Sequence, residues 1–288
     1  MATETASQPL VTVYTPVSPF AEPRRLIRDI RRDFSASTNL AWRLFLRNLN
    51  SRYRQTLLGY VWAFVPPIMT TAVFVYLQRS GYFSVGSVQV PYVVFVLAGL
   101  VLWQVFADAL IAPLRMVQQS IAMLSKVNFP REALILAGMG EVLFSFVVRA
   151  LLLGAVMVVY GVTSGWTIVA SIAGVAALAG FGLALGLLLT PLALLYHDVG
   201  QGLPFVLQLW MFLTPVIYPA PQSSSGLWLM LLNPTAPLLD TTRAWLFGST
   251  PQFLGLCYLS CAVAVLAFVA GWLVYRLALP IVMDRVIT

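Results

Sequence analysis

Lysine is nearly missing from this sequence. Lys126 is the only one, and arginine supplies the rest of the 17 basic residues. Charge of either sign is scarce, at 9% of 288 residues against 60% hydrophobic. A water-soluble domain carries about a quarter charged residues. A chain this poor in them cannot cover itself with a solvated surface, so composition points to a membrane protein. Histidine is reduced to His197, which excludes a His-rich metal site and a catalytic triad. The two cysteines, Cys257 and Cys261, lie one helical turn apart in an apolar run. They read as small hydrophobes and not as a disulfide framework or metal ligands. There is no G-x-x-x-x-G-K-[ST] loop to cradle nucleotide phosphates. No internal repeat is evident, which speaks against carriers built from two related halves.

What the chain does have is long apolar runs with arginines at their mouths. Residues 1–23 are rich in Thr, Ser and Pro and read as a flexible N-terminal arm. Residues 24–57 carry two amphipathic helical patterns. In the second, Trp42, Phe45, Leu46, Leu49 and Tyr53 form one stripe, with Arg43, Arg47, Asn50 and Arg54 on another. That pattern fits a helix lying in the membrane interface, or a cytoplasmic helix packed on a partner. Residues 58–288 form a transmembrane domain with six apolar segments, near Leu58–Gln78, Pro91–Pro113, Glu132–Val162, Trp166–Leu192, Leu203–Tyr218 and Pro251–Leu279. The expected fold is an all-α membrane protein. It has six transmembrane helices, an N-terminal amphipathic interface helix, and short re-entrant outer helices before the last span.

No apolar core with a small-residue cleavage site occurs in the first forty residues, so the N-terminus is expected in the cytoplasm. With that orientation fourteen basic residues fall on the inner side and two, Arg79 and Arg243, on the outer side. This is the positive-inside pattern, and it places the C-terminus in the cytoplasm as well. Most of the basic charge lies before the first apolar run, so membrane lipids and not nucleic acid are the expected partner. Tyr60 and Trp62 are expected at headgroup depth, and Pro66-Pro67 are expected to kink the first span just inside.

The inner loop 114–131 is longer than a turn needs. Leu114, Val117, Ile121 and Leu124 predict a short amphipathic helix, and Pro130 and Glu132 suit the first turn of the third span. The outer segment 219–250 holds "LWLMLL" and "APLLDTTRAWLF", each too short to span. They fit helices that dip into the outer leaflet and return, or helices on the surface. Glu141 and Arg149 are the charges inside the third span; structural pairing or subunit contact is the preferred reading over proton relay.

"RYRQTLLGYVWAFVPP", "LSKVNFPREAL" and "LNPTAPLLDTTRAWLFG" stand in this order around the six spans. Together they resemble the transmembrane subunits of polysaccharide ABC exporters, the Wzm/TagG/KpsM group that handles O-antigen, teichoic acid and capsule. The resemblance runs from about residue 24 onward. It implies a homodimer with a channel for a lipid-linked polysaccharide, in the bacterial cytoplasmic (inner) membrane. It also implies two copies of a separate cytoplasmic ABC ATPase that binds ATP and Mg, with no cofactor and no metal in this chain. Arg47, Arg52, Tyr53 and Arg54 resemble the family's cytoplasmic gate. Ser120, Lys126, Phe129, Pro130, Arg131 and Glu132 resemble its coupling segment, which sits against the ATPase. The outer segment resembles its re-entrant helices. His197-Asp198 departs from the family, where an Arg-Asp pair is expected.

Sugar rings pack their C–H faces on aromatic rings, so the channel wall is sought among the aromatics: Tyr60, Trp62, Phe64, Trp103, Phe106, Trp210, Phe212 and Tyr218. Tyr60, Trp62 and Tyr218 equally suit an interfacial belt. The chain is accordingly expected to be a transport subunit, not an enzyme. The competing readings are a standalone lipid flippase or secondary carrier, and a membrane enzyme that modifies polyprenyl-linked sugars.

Overall fold

The computed structural model describes residues 37–51, 62–82, 88, 90–124, 132–220 and 224–287. Regular structure among these residues is entirely helical. The elements are α1 (37–51), α2 (Val65–Arg79), α3 (Tyr92–Leu124), α4 (Glu132–Val159), α5 (Ile168–Leu195), α6 (His197–Leu213), α7 (Ser224–Leu232), α8 (Thr235–Leu246) and α9 (Leu254–Ile287). Four of them, α3, α4, α5 and α9, are long and apolar enough to cross a membrane. With α2 at 15 residues and α6 at 17, the other two expected spans are shorter in helical length.

The helices form layers about α3. The apolar window of α3 is 78% buried, while that of α4 is 17% buried. α3 packs on α5 and α4, and α5 packs in turn on α9 and α8. Lipid tails supply no hydrophobic drive between helices, so close backbone approach matters. Gly182 and Gly186, one turn apart on α5, provide it. A Cβ at either would overlap the carbonyl oxygen of Phe106 or Leu110 on α3.

Two local expectations change. Pro66 and Pro67 do not kink a continuing helix; they occupy the first turn of α2, where missing N–H groups leave no helical bond unmade. The stretch 114–124 is not a separate short helix. α3 runs through Pro113 as one element of 33 residues. Pro113 is buried against neighbouring helices, and in a membrane such packing lets a helix carry a proline.

Between α6 and α9 lies the corner α7–α8, turned at Asn233-Pro234. α7 is largely exposed, whereas α8 is buried from Thr235 to Arg243, save for half-buried Asp240, among α5, α9 and α3.

Candidate functional site

Polar side chains are the exception in this interior, and they gather at three levels. At one end, the inner one in the topology expected from the arginines, α1 docks on α3 and α4. The Phe45 ring fills the space beside Gly140, where a Cβ would press on it. Next to it Glu141 is buried and accepts from Arg115 Nη2 at 2.9 Å and from Asn48 Nδ2 at 3.1 Å. Asn48 also accepts from Arg47 Nε and Nη2, each at 3.2 Å. A cavity of about 490 Å³ opens here, lined by Arg47, Asn48, Ser51, Arg115, Gln119 and Glu141. Two guanidinium groups against one carboxylate make it cationic, so it suits an anionic group.

At the middle level Arg149 Nη1 donates to Asp108 Oδ2 at 2.6 Å, linking α4 to α3. Glu141 and Arg149, read from sequence as one helix's pair of intramembrane charges, thus each find a partner on α3 and not in one another. A smaller cavity of about 160 Å³ adjoins Arg149, lined also by Trp62, Ala63, Pro66, Pro67, Gln104 and Ser145. Ser145 stands about 20 Å of helical rise from Glu132, so Trp62, which shares this cavity with it, lies level with the middle of α4.

At the outer level the chain breaks after α6, and Arg243 repairs the break. Its Nη1 donates to the carbonyls of Pro215 at 2.9 Å and Val216 at 3.2 Å, and its Nη2 to Asp240 at 2.9 Å. Burial pushes its pKa down, while Asp240 opposes through charge and hydrogen bond. A guanidinium starts so high that it stays charged. Beside it Asn233 joins α6 to α8: its Oδ1 accepts from Trp210 Nε1 at 2.9 Å, and its Nδ2 donates to Thr214 Oγ1 at 2.8 Å.

The aromatic candidates separate into two groups. Trp103, 3% exposed, and Phe106, fully buried, pack with Phe181 and half-buried Trp210 into one cluster with ring centroids 5.2–6.4 Å apart. Trp62 at 54% and Phe212 at 46% exposure point outward. Phe64 is half-buried, as is Tyr218, whose hydroxyl donates to the Phe212 carbonyl at 3.0 Å. Arg47 is exposed at the inner cavity. Ser120 is buried near the end of α3, and Glu132 opens α4 with Arg276 at 4.0 Å. His197 and Asp198 are exposed in the first turn of α6. Arg52, Tyr53, Arg54, Tyr60, Lys126, Phe129, Pro130 and Arg131 lie outside the described residues. Among the described residues no group of three or more His, Cys, Asp or Glu could hold a metal ion. Asp108, Arg115 and Arg243 were not singled out as site residues from the sequence; apart from Asp240, one turn before Arg243, their partners lie tens of residues away, beyond the reach of local spacing.

The pattern of the ABC-2 type transporter family matches residues 39–247, which runs from α1 through α8. This chain belongs to the ABC-2 type transporter family. It is 31% identical over 206 residues to the O-antigen export system permease protein RfbA of Myxococcus xanthus, covering 70% of this chain and 77% of that one. It is 24% identical over 212 residues to the O-antigen export system permease protein RfbA of Klebsiella pneumoniae, covering 72% of this chain and 80% of that one. The ABC-2 type chains are membrane-embedded permease subunits, which fits the four long apolar helices. The three polar levels therefore belong to a multi-pass transport protein.

Proposed function

We propose that this chain is the permease subunit of an ATP-driven exporter that moves a lipid-linked polysaccharide across the bacterial cytoplasmic membrane. The observation that carries this reading is its 31% identity over 206 residues to a protein named as an O-antigen export permease. Two copies of the chain form the channel, with α2, α3, α4, α5, α6 and α9 as six crossings and both termini inside. The exposed apolar faces of α2 and α6 support a second copy: Ile68, Met69 and Val73 on one, Phe205, Leu209 and Leu213 on the other. Trp62, Phe64, Phe212 and Tyr218 stand on those helices or at their ends and form the sliding wall. Trp103, Phe106 and Trp210 stiffen it from behind. The cationic inner cavity receives the phosphate end of the lipid carrier, next to the gate of Arg47, Arg52, Tyr53 and Arg54. The segment 219–250 re-enters from the outside.

Energy comes from two copies of a cytoplasmic ABC ATPase holding ATP and Mg. They press on the inner end of α3, where Ser120 is seated, and on the segment that follows it, through Lys126, Phe129, Pro130, Arg131 and Glu132. The arm 1–23 and the amphipathic stretch 24–57 lie on the cytoplasmic side.

The test is reconstitution of the chain with the ABC ATPase encoded beside it, in vesicles loaded with lipid-linked glycan. The expected result is a two-to-two complex whose ATP hydrolysis drives glycan across. Lys126→Glu or Arg131→Glu is expected to uncouple hydrolysis from export without loss of the dimer. Transport by the chain alone on an ion gradient would overturn the reading in favour of a carrier.

A further inference from the structure

Pro113 is the weak point of α3, and charged residues of α3 stand on both sides of it. A proline removes one backbone bond and crowds the turn before it, so a helix bends there. Asp108 precedes Pro113 and Arg115 follows it. Both are paired with α4, which carries no proline from Glu132 to Val159. Asp108 meets Arg149 at 2.6 Å, and Arg115 meets Glu141 at 2.9 Å. Across its bend point α3 is thus tied to an unbroken helix by one ion pair on each side. Between the pairs the contact is made by small side chains, Ala109 and Ala112 against Val142 and Gly138. Small residues let helices approach closely, but they offer few interlocking atoms to oppose a bend. A buried ion pair is seldom needed for stability, because apolar packing of the same volume does as well. Its best-attested use is to set a register or a switch.

The two pairs differ in what can reach them. At the middle pair the Arg149 side chain is 11% exposed. At the inner pair the Arg115 side chain is 28% exposed, and it lines the cavity of about 490 Å³ together with exposed Arg47 and Gln119. A phosphate there finds two guanidinium groups, and its several oxygens can engage both at once. It competes with Glu141 for Arg115. Glu141 is not stranded by the exchange, because it keeps the donor Asn48 Nδ2 at 3.1 Å.

We propose that the Arg115–Glu141 pair is a clamp on the bend point at Pro113, opened by a lipid-borne phosphate in the inner cavity. Closed, it holds the inner end of α3 straight along α4. An arriving phosphate takes Arg115, and the inner end of α3 then yields to the ATPase. Asp108–Arg149 keeps the outer part of the two helices in register throughout. Glu141 is a positioning residue, acting on the cargo only through Arg115. This rests on export of a lipid-linked polysaccharide as proposed above. It adds a check to that cycle: α3 gives way only when cargo is present.

The experiment uses the complete complex with its ATPase in nanodiscs of phosphatidylcholine. The probe is polyprenyl phosphate, with inorganic phosphate in a parallel arm. The probe is expected to speed amide exchange over residues 114–120 about tenfold as the inner end loosens, where binding alone would slow it. It is expected to raise ATP hydrolysis about fivefold. Glu141→Gln removes the charge and keeps an acceptor for Asn48. It is expected to exchange and hydrolyse at the raised rates with no probe added. Arg115→Gln opens the same pair from the other helix and gives an independent reading should Glu141→Gln fail to assemble. Leu143→Ala, an exposed change on α4, is expected to keep the wild-type dependence on the probe. An assembled Glu141→Gln or Arg115→Gln complex that still needs the probe would refute the clamp and leave export standing. So would slower exchange over residues 114–120 when the probe is added to wild type. An equal response to inorganic phosphate at the same concentration would overturn the lipid as its source. A complex that exports no glycan would remove both the clamp and the function it serves.

Discussion

The Arg243 guanidinium lies 3.8 Å above the centre of the Phe95 ring, with its donors on the Pro215 and Val216 carbonyls and on Asp240. One side chain thereby fastens α8 to α3 and to the broken end of α6. Arg243→Leu strands a carboxylate and two carbonyls, at a cost of about 3 kcal/mol or more. The thermal midpoint of the detergent-solubilised protein is expected to fall by roughly 10 °C. Phe95→Leu removes only the ring contact and is expected to cost about 1–2 kcal/mol beyond lost packing. Equal midpoints for wild type and Arg243→Leu would refute this account of the outer corner.

Two glycines on α5 give predictions of opposite sign. A Cβ at Gly186 overlaps the Leu110 carbonyl, whereas one at Gly180 meets nothing within 4 Å. Gly186→Ala is expected to destabilise the α3–α5 contact by about 1–3 kcal/mol. Gly180→Ala is expected to stabilise by about 0.5–1 kcal/mol through helix propensity. Unfolding in mixed micelles compares the pair; a shared sign would refute the close approach of the helices.

Glu141 holds α1 to the inner cavity through Asn48 while it neutralises Arg115. Glu141→Ala removes both bonds. Amide hydrogen exchange across residues 37–51 is expected to speed up about tenfold or more as α1 opens locally. Leu143→Ala, an exposed change two residues along α4, is expected to leave exchange in α1 unchanged. Unaltered protection in Glu141→Ala would mean that Phe45 packing alone docks the helix.

Topology is testable with cysteines in a Cys257→Ala/Cys261→Ala background. Thr250, exposed beyond α8, is expected to react with an impermeant maleimide in intact cells. Gln118, exposed near the inner end of α3, is expected to react only after permeabilisation. The reverse pattern would invert the orientation drawn from the arginines.

The helices were legible where the chain punctuates itself. Glu132 marks the start of α4, and Asn233-Pro234 marks the turn between α7 and α8, because caps and prolines act through their own backbone. Pro113 misleads for the same reason. Locally it reads as a stop, and only the packing around it shows that α3 continues. Trp103 and Trp62 are the same letter in similar apolar runs. Which one faces inward depends on Phe106 and Trp210 being at hand, and no spacing rule contains that. The partners of Glu141 and Arg149 were hidden likewise, since a helix's own period says nothing of the charges on its neighbour. The spacing Gly182-x-x-x-Gly186, by contrast, stands in the sequence as a legible sign of close helix contact.

Because α3 is unbroken, it is a rod about 50 Å long. Its outer end carries Tyr92, which donates to the Ile217 carbonyl at 3.0 Å, and Phe95 beneath Arg243. Its inner end carries the exposed amides Gln118 and Gln119. Helices bend where a backbone donor is missing, and on α3 that place is Pro113, about two-thirds of the way to the inner end. The outer two-thirds is therefore a stiff lever with its compliance at the handle. A tilt of about 5° at that point moves the far end by about 3 Å, the scale on which a hydrogen bond is made or lost.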